Sequence, residues 1–185
     1  GDPFDPSAQP VPVATVDAHL PVGAVLCVVH GVGASTATLS RNVAALQAAH
    51  ATVMARVLPD VEFRTQLLVV HWRRALLGLR VHARLQALIP TAGGWDNGLR
   101  QFVSDKVADL HFYAQPTYRA VILREVAEQL NAQWGVFKAR HPDFCGPVAL
   151  YGHSLGSVIS YELLAAQARL AEADGLAAAA AAATG

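Results

Sequence analysis

Residues 148–164 read VALYGHSLGSVISYELL. A short apolar run meets the turn Gly152-His153-Ser154-Leu155-Gly156 and passes into a stretch with helical spacing. A strand that turns straight into a helix leaves no room for side chains where the backbones cross. Glycine at both flanking positions, Gly152 and Gly156, meets that need. The turn strains the backbone of Ser154 and exposes its hydroxyl. The helix that follows aims its partial positive N-terminus at the same point. This is the setting of a nucleophilic serine, and the Leu155 N–H is a natural donor to an oxyanion formed there.

A nucleophile of this kind needs a second donor, a base and a carboxylate. The second donor has a candidate upstream. VGAVLCVV (22–29) is a β-branched run that reads as a buried parallel strand. It ends in His30-Gly31-Val32-Gly33, and hydrolases place an oxyanion loop after such a strand. The N–H groups of Gly31 and Val32 are the candidates, with His30 shaping the loop.

The base is harder to find. In the α/β-hydrolase fold the chain order is serine, acid, histidine. All eight histidines here lie at or before His153, and only Glu162, Glu172 and Asp174 follow Ser154 as carboxylates. His71 closes a predicted strand at the carboxyl edge of the sheet and is the best internal substitute. His153 leaves the turn in another direction. Asp105 and Asp109 read as a solvated helix face or a cap. Arg73, Arg80 and Arg84 fall on one helical face, which is either solvated or a set of candidate contacts to anionic lipid headgroups.

Between these sites the pattern alternates. Ser35 or Thr36 caps a helix carrying Leu39, Val43, Leu46, Val53 and Val57, and Pro59 ends it. VEFRTQLLVVHW (61–72) reads as a strand. A helix follows through Leu76, Leu79 and Leu85 to Ile89, broken by Pro90 and TAGGWDNG (91–98). A long helix from Thr117 to Arg140 places Tyr118, Ile122, Val126, Leu130 and Trp134 on one face, with Arg124 and Glu128 paired on another. HPDFCGP (141–147) is a loop. Strands alternating with helices predict an α/β protein, a partial α/β-hydrolase fold with a mostly parallel sheet and helices on both faces.

Residues 1–21 hold five of the ten prolines and read as a lead-in or linker. Residues 22–170 form the domain, and 171–185 an alanine-rich tail, either a helix extension or a disordered insertion. The chain begins at Gly1 and its one methionine is Met54, so a fragment of a longer protein is expected. Lys+Arg and Asp+Glu both number 14, so there is no basic field for nucleic acid. Cys27 and Cys145 stand in no metal or redox spacing, which favours a reducing compartment. No metal or organic cofactor is called for. No apolar run is long enough to span a bilayer, and no signal peptide is visible.

Four stretches carry a family resemblance: VVHGVG (28–33), VEFRTQLLVVHW (61–72), DLHFYAQPTYR (109–119) and HPDFCGPVALYGHSLGSVISYELL (141–164). They resemble the intracellular, phosphatidic-acid-preferring phospholipase A1 proteins, also called DDHD-domain proteins. The resemblance implies an α/β-hydrolase that cleaves an acyl ester of a glycerophospholipid at a membrane surface, from the cytoplasm and peripherally to organelle membranes. Ser154 matches the family's nucleophile and the 30–33 loop its oxyanion side. The family's DDHD region is absent from this sequence, so the base and acid are expected beyond Gly185. The residues leave two other readings open. One is a non-catalytic lipid-binding or trafficking module that keeps the hydrolase shell. The other is a different serine esterase or thioesterase. They leave headgroup preference, acyl position and oligomeric state open too.

Overall fold

The computed structural model describes residues 19–33, 35–73 and 109–183. In chain order the elements are β1 (Val22–Val29), α1 (Thr36–Val57), β2 (Arg64–Val70), α2 (Pro116–Arg140), β3 (Val148–Gly152) and α3 (Leu155–Ala183). The three strands form one parallel sheet in the order β2-β1-β3. The expected helix through Leu76–Ile89, the break at 90–98, Asp105, Arg80 and Arg84 lie outside the described residues.

Each boundary has a local cause. Ser35 caps α1, its hydroxyl accepting from the Thr38 N–H at 3.2 Å. Pro116 opens α2, where its missing N–H costs nothing. The strand expected over 61–72 pairs only from Arg64 to Val70. Its partner β1 begins at Val22, opposite Arg64, so residues 61–63 have no strand to pair with. The backbone of α3 stays helical through the expected domain boundary at 170/171.

β1 lies at the centre, and its alternate residues feed two layers. Val28 packs with Leu39 and Val43 of α1 and with Leu67 on one face. Val25 and Cys27 pack with Leu68 and Phe137 of α2 on the other. There too Val29, Val70 and Trp72 join Ile122 and Val126 of α2, and Leu155 and Ile159 of α3. Helices thus cover both faces of a parallel sheet, as the continuous apolar runs of its strands require. Full burial of a Val or Ile side chain here is worth about 1.5–3 kcal/mol, an upper figure because denatured chains already bury some of this surface.

Among the described residues, the outer edge of β2 is met at its C-terminal end by side chains of α2. Gln129 of α2 accepts from the His71 N–H at 2.9 Å and donates to the His71 carbonyl at 3.3 Å. Gln133, one turn on, donates to the Val69 carbonyl at 2.9 Å. These bonds hold the end of β2, and with it the segment 71–73, in a fixed place.

Candidate active site

The turn after β3 has the geometry its glycines imply. Ser154 has φ of 54°, the one positive φ at a non-glycine among the described residues. A side chain in the left-handed region is strained, and such strain persists only where its surroundings impose it. Here they do. The His153 N–H donates to the Val29 carbonyl at 3.0 Å, while the Gly156 and Ser157 N–H groups close onto the His153 and Ser154 carbonyls at 2.9 Å each. A Cβ on Gly156 would overlap the Val29 carbonyl oxygen and sit 2.7 Å from that of His30. A Cβ on Gly152 would sit 2.5 Å from the Ser157 Cα. The start of α3 therefore rests directly on the end of β1. Ser154 and His153 are exposed, while the Leu155 side chain beside them is buried in the core.

The 30–33 loop lies against this turn. A Cβ on Gly31 would sit 2.8 Å from the Ser154 Cβ and 2.9 Å from the His153 carbonyl oxygen. Gly31 is therefore required for close approach, which sets the loop backbone at this position against the serine turn. The loop is tied at both ends. The Trp72 indole N–H donates to the His30 carbonyl at 2.9 Å. The Gly33 N–H donates to Asp109 Oδ2 at 2.7 Å, and Gly33 has φ of 69°.

His30 lies inside this arrangement. Its ring stacks on Trp72 with centroids 5.0 Å apart and lies 5.2 Å from the His71 ring. Nδ1 is 2.7 Å from the Gly31 carbonyl oxygen, so Nδ1 carries the proton. Nε2 is buried with no hydrogen-bond partner. Burial pulls the imidazole down from 6.5 to about 4; the bond to Gly31 and the charge of Asp109 oppose the shift, and His71 and Arg73 add to it. A base this weak is neutral at neutral pH and poorly matched to deprotonating a serine.

Two sequence expectations change here. Arg73 does not lie on a solvated helix face available to headgroups. It is buried, and its Nε reaches Asp109 Oδ1 at 2.9 Å and Oδ2 at 2.7 Å. Asp109 is fully buried as well and does not lie on a solvated face. Its partners at i+3 and i+4, Phe112 and Tyr113, are core residues, and that spacing puts all three on the inner face of the 109–114 helical segment. The pattern D-x-x-F-Y was the available signal. His71 is half-buried beside His30, and the exposed pair Arg124–Glu128 forms as expected at 3.9 Å. No cluster able to hold a metal exists among the described residues, and none of their helices is long and apolar enough to cross a membrane.

Strand order, faces and turn define a parallel α/β protein with an exposed, strained serine where a strand enters a helix. Relatives narrow that class. An intracellular phospholipase A1 of Caenorhabditis elegans is 31% identical over 153 residues, 80% of this chain and 17% of that protein. The human triacylglycerol hydrolase DDHD2 is 38% identical over 105 residues, 56% of this chain and 14% of its own length. The human SEC23-interacting protein is 35% identical over 107 residues, 56% of this chain and 10% of its own length. By these relationships the chain belongs to the family of intracellular DDHD-type phospholipases, and it spans a small part of each relative's length. No family model and no solved structure matches it.

Proposed function

We propose that the chain is the nucleophile-bearing part of an α/β-hydrolase that cleaves an acyl ester of glycerophospholipids, with phosphatidic acid a preferred substrate. Ser154 Oγ attacks the ester carbonyl, forming a tetrahedral intermediate and then an acyl-enzyme with release of the lysophospholipid. The N–H of Leu155, one of the orphan donors that open α3, and those of Gly31 and Val32 receive the oxyanion. Water then releases the fatty acid. The base and its orienting acid come from beyond Gly185. The enzyme meets its substrate peripherally at organelle membranes.

One observation carries this reading: the positive φ of Ser154 at the β3–α3 turn, in a junction with the end of β1 and the loop after it so tight that only glycine fits at positions 31, 152 and 156. An ordinary strand-to-helix turn has no use for that strain. The names of the relatives support the substrate class, since two of the three are lipid hydrolases.

A second reading, a non-catalytic module, has its own support. The buried imidazole of the neighbouring loop, His30, is too weak a base, and one relative is named for a protein partner rather than a reaction. The full-length protein distinguishes them. Fatty acid release from phosphatidic acid vesicles, lost in Ser154→Ala, is the expected result. Vesicle binding without Ser154-dependent release favours the module. A preference for short soluble esters over vesicles points to a different esterase.

A further inference from the structure

The Arg73–Asp109 pair is an odd thing to bury. Both side chains are almost fully withdrawn from water, at 7% and 0% exposure. Removing two charges from water costs several kcal/mol each before their attraction returns it, and an apolar pair of similar volume is often as stable or more so. Stability alone is a weak reason for the pair. Its third partner supplies a better one. Asp109 Oδ2 accepts the Gly33 N–H at 2.7 Å, inside the loop whose other end is held by Trp72. The consecutive residues Trp72 and Arg73 thus reach opposite ends of the same four-residue loop. Trp72 binds the His30 carbonyl directly, and Arg73 fixes the carboxylate that binds Gly33. The base of both is the end of β2, pinned in turn by Gln129 through both backbone groups of His71.

We infer that Asp109, locked by Arg73, is a positioning residue for the oxyanion loop: it fixes the Gly33 N–H and so sets where the Gly31 and Val32 N–H groups stand relative to Ser154. The inference rests on the catalytic reading above. It assigns to these two residues a role that acts through the backbone of the loop. A charged acceptor is suited to the task, because a bond to an ionised group is shorter and about twice as strong as a neutral one. It holds a left-handed glycine whose backbone is free to move otherwise.

The test uses the full-length protein with phosphatidic acid vesicles and, in parallel, a soluble ester and its thionoester. Asp109→Asn should lower kcat at least tenfold and leave KM within about twofold. A whole lost oxyanion donor costs roughly 10²–10³, and a loosened loop less. The ester-to-thionoester rate ratio should fall with it, since that ratio reports how well the donors fit an oxygen anion. The double variant Arg73→Met/Asp109→Leu removes both charges of the pair. It should fold, with a melting temperature near that of the wild type, yet stay at least tenfold slow. It decides the matter alone if Asp109→Asn does not fold. A folded double variant with kcat and rate ratio within twofold of wild type makes the pair purely structural and overturns the inference. Wild-type protein with no Ser154-dependent turnover removes the catalytic reading and this inference with it.

Discussion

His30 makes the structure sensitive to acid in a calculable way. Its imidazole is held at about 4 in the folded chain, against 6.5 for an ordinary histidine, chiefly because burial disfavours the charged ring. An unfolded chain takes up the proton as pH falls through 6.5, and the folded chain does not until about 4. Stability from this residue is therefore complete above pH 6.5, lost steadily between 6.5 and 4, and constant below. At 1.36 kcal/mol per unit the full loss is about 3 kcal/mol, and about 2.5 kcal/mol of it is gone by pH 4.5. The control is His30→Asn, whose amide can still donate to the Gly31 carbonyl but does not titrate. It loses the stack on Trp72 and is less stable throughout, so the comparison is of slopes and not of levels. Amide hydrogen exchange of the β1 peptide in the full-length protein reads local stability directly. Comparing the two proteins at each pH cancels intrinsic exchange and the titration of groups that do not interact with His30. Between pH 7.5 and 4.5 wild-type β1 should lose roughly sixtyfold more protection than β1 of the variant. Parallel pH profiles, within about twofold, would refute the account, and His30 would then have to be hydrated or repartnered in the folded state.

Three further substitutions separate the energetic layers. Gly156→Ala drives a Cβ into the backbone carbonyls of Val29 and His30, which cannot give as a flexible side chain can. It should cost about 1–3 kcal/mol in urea unfolding and slow labelling of Ser154 by a fluorophosphonate probe more than tenfold. Ser35→Ala removes the α1 cap and should cost about 1 kcal/mol without changing that labelling rate. Arg124→Gln breaks an ion pair whose side chains are 69% and 67% exposed, and unfolding should move by less than about 0.5 kcal/mol.

The strands and helices were legible because their signals are local. VGAVLCVV is strand over the whole of Val22–Val29, and Ser35 caps as its type predicts. The serine turn was legible in part for the same reason: Gly152 meets a steric demand from Ser157 five residues on, whereas Gly156 answers to the distant carbonyls of Val29 and His30. What failed was long-range pairing of charge. Arg73 and Asp109 are 36 positions apart, and sequence alone places Arg73 on a solvated or headgroup-facing stripe and Asp109 on a solvated face or at a cap, since a charged side chain is seldom buried. Helical spacing alone grouped Arg73 with Arg80 and Arg84. The better guide lay beside Asp109, where Phe112 and Tyr113 mark the same helix face as core. A charge on an apolar face asks for a partner, but sequence spacing does not say which one.

The two edges of the sheet are treated differently, and the difference bears on the site. An unpaired edge strand is a template for other strands unless something blocks it. At β2 the block is specific: glutamines of α2 take up the N–H of His71 and the carbonyls of Val69 and His71. At β3 the described residues supply no such bonds. Val148 and Tyr151 are 50% and 40% exposed on that strand, and Val158, Tyr161 and Leu164 of the adjoining helix are exposed too. Ser154 follows this strand directly. The β2 edge anchors residues 71–73, and through Trp72 and the Arg73–Asp109 pair it anchors the 30–33 loop. The strand at the other edge, β3, leads into the serine that loop faces. Rigidity therefore enters the site from β2 and crosses β1, and the nucleophile is held at the far side by its contact with the ends of β1. Disturbance at the Gln129 clamp should thus reach Ser154 through the 30–33 loop, which is tied to Trp72 and Asp109 and touches the serine turn at Gly31.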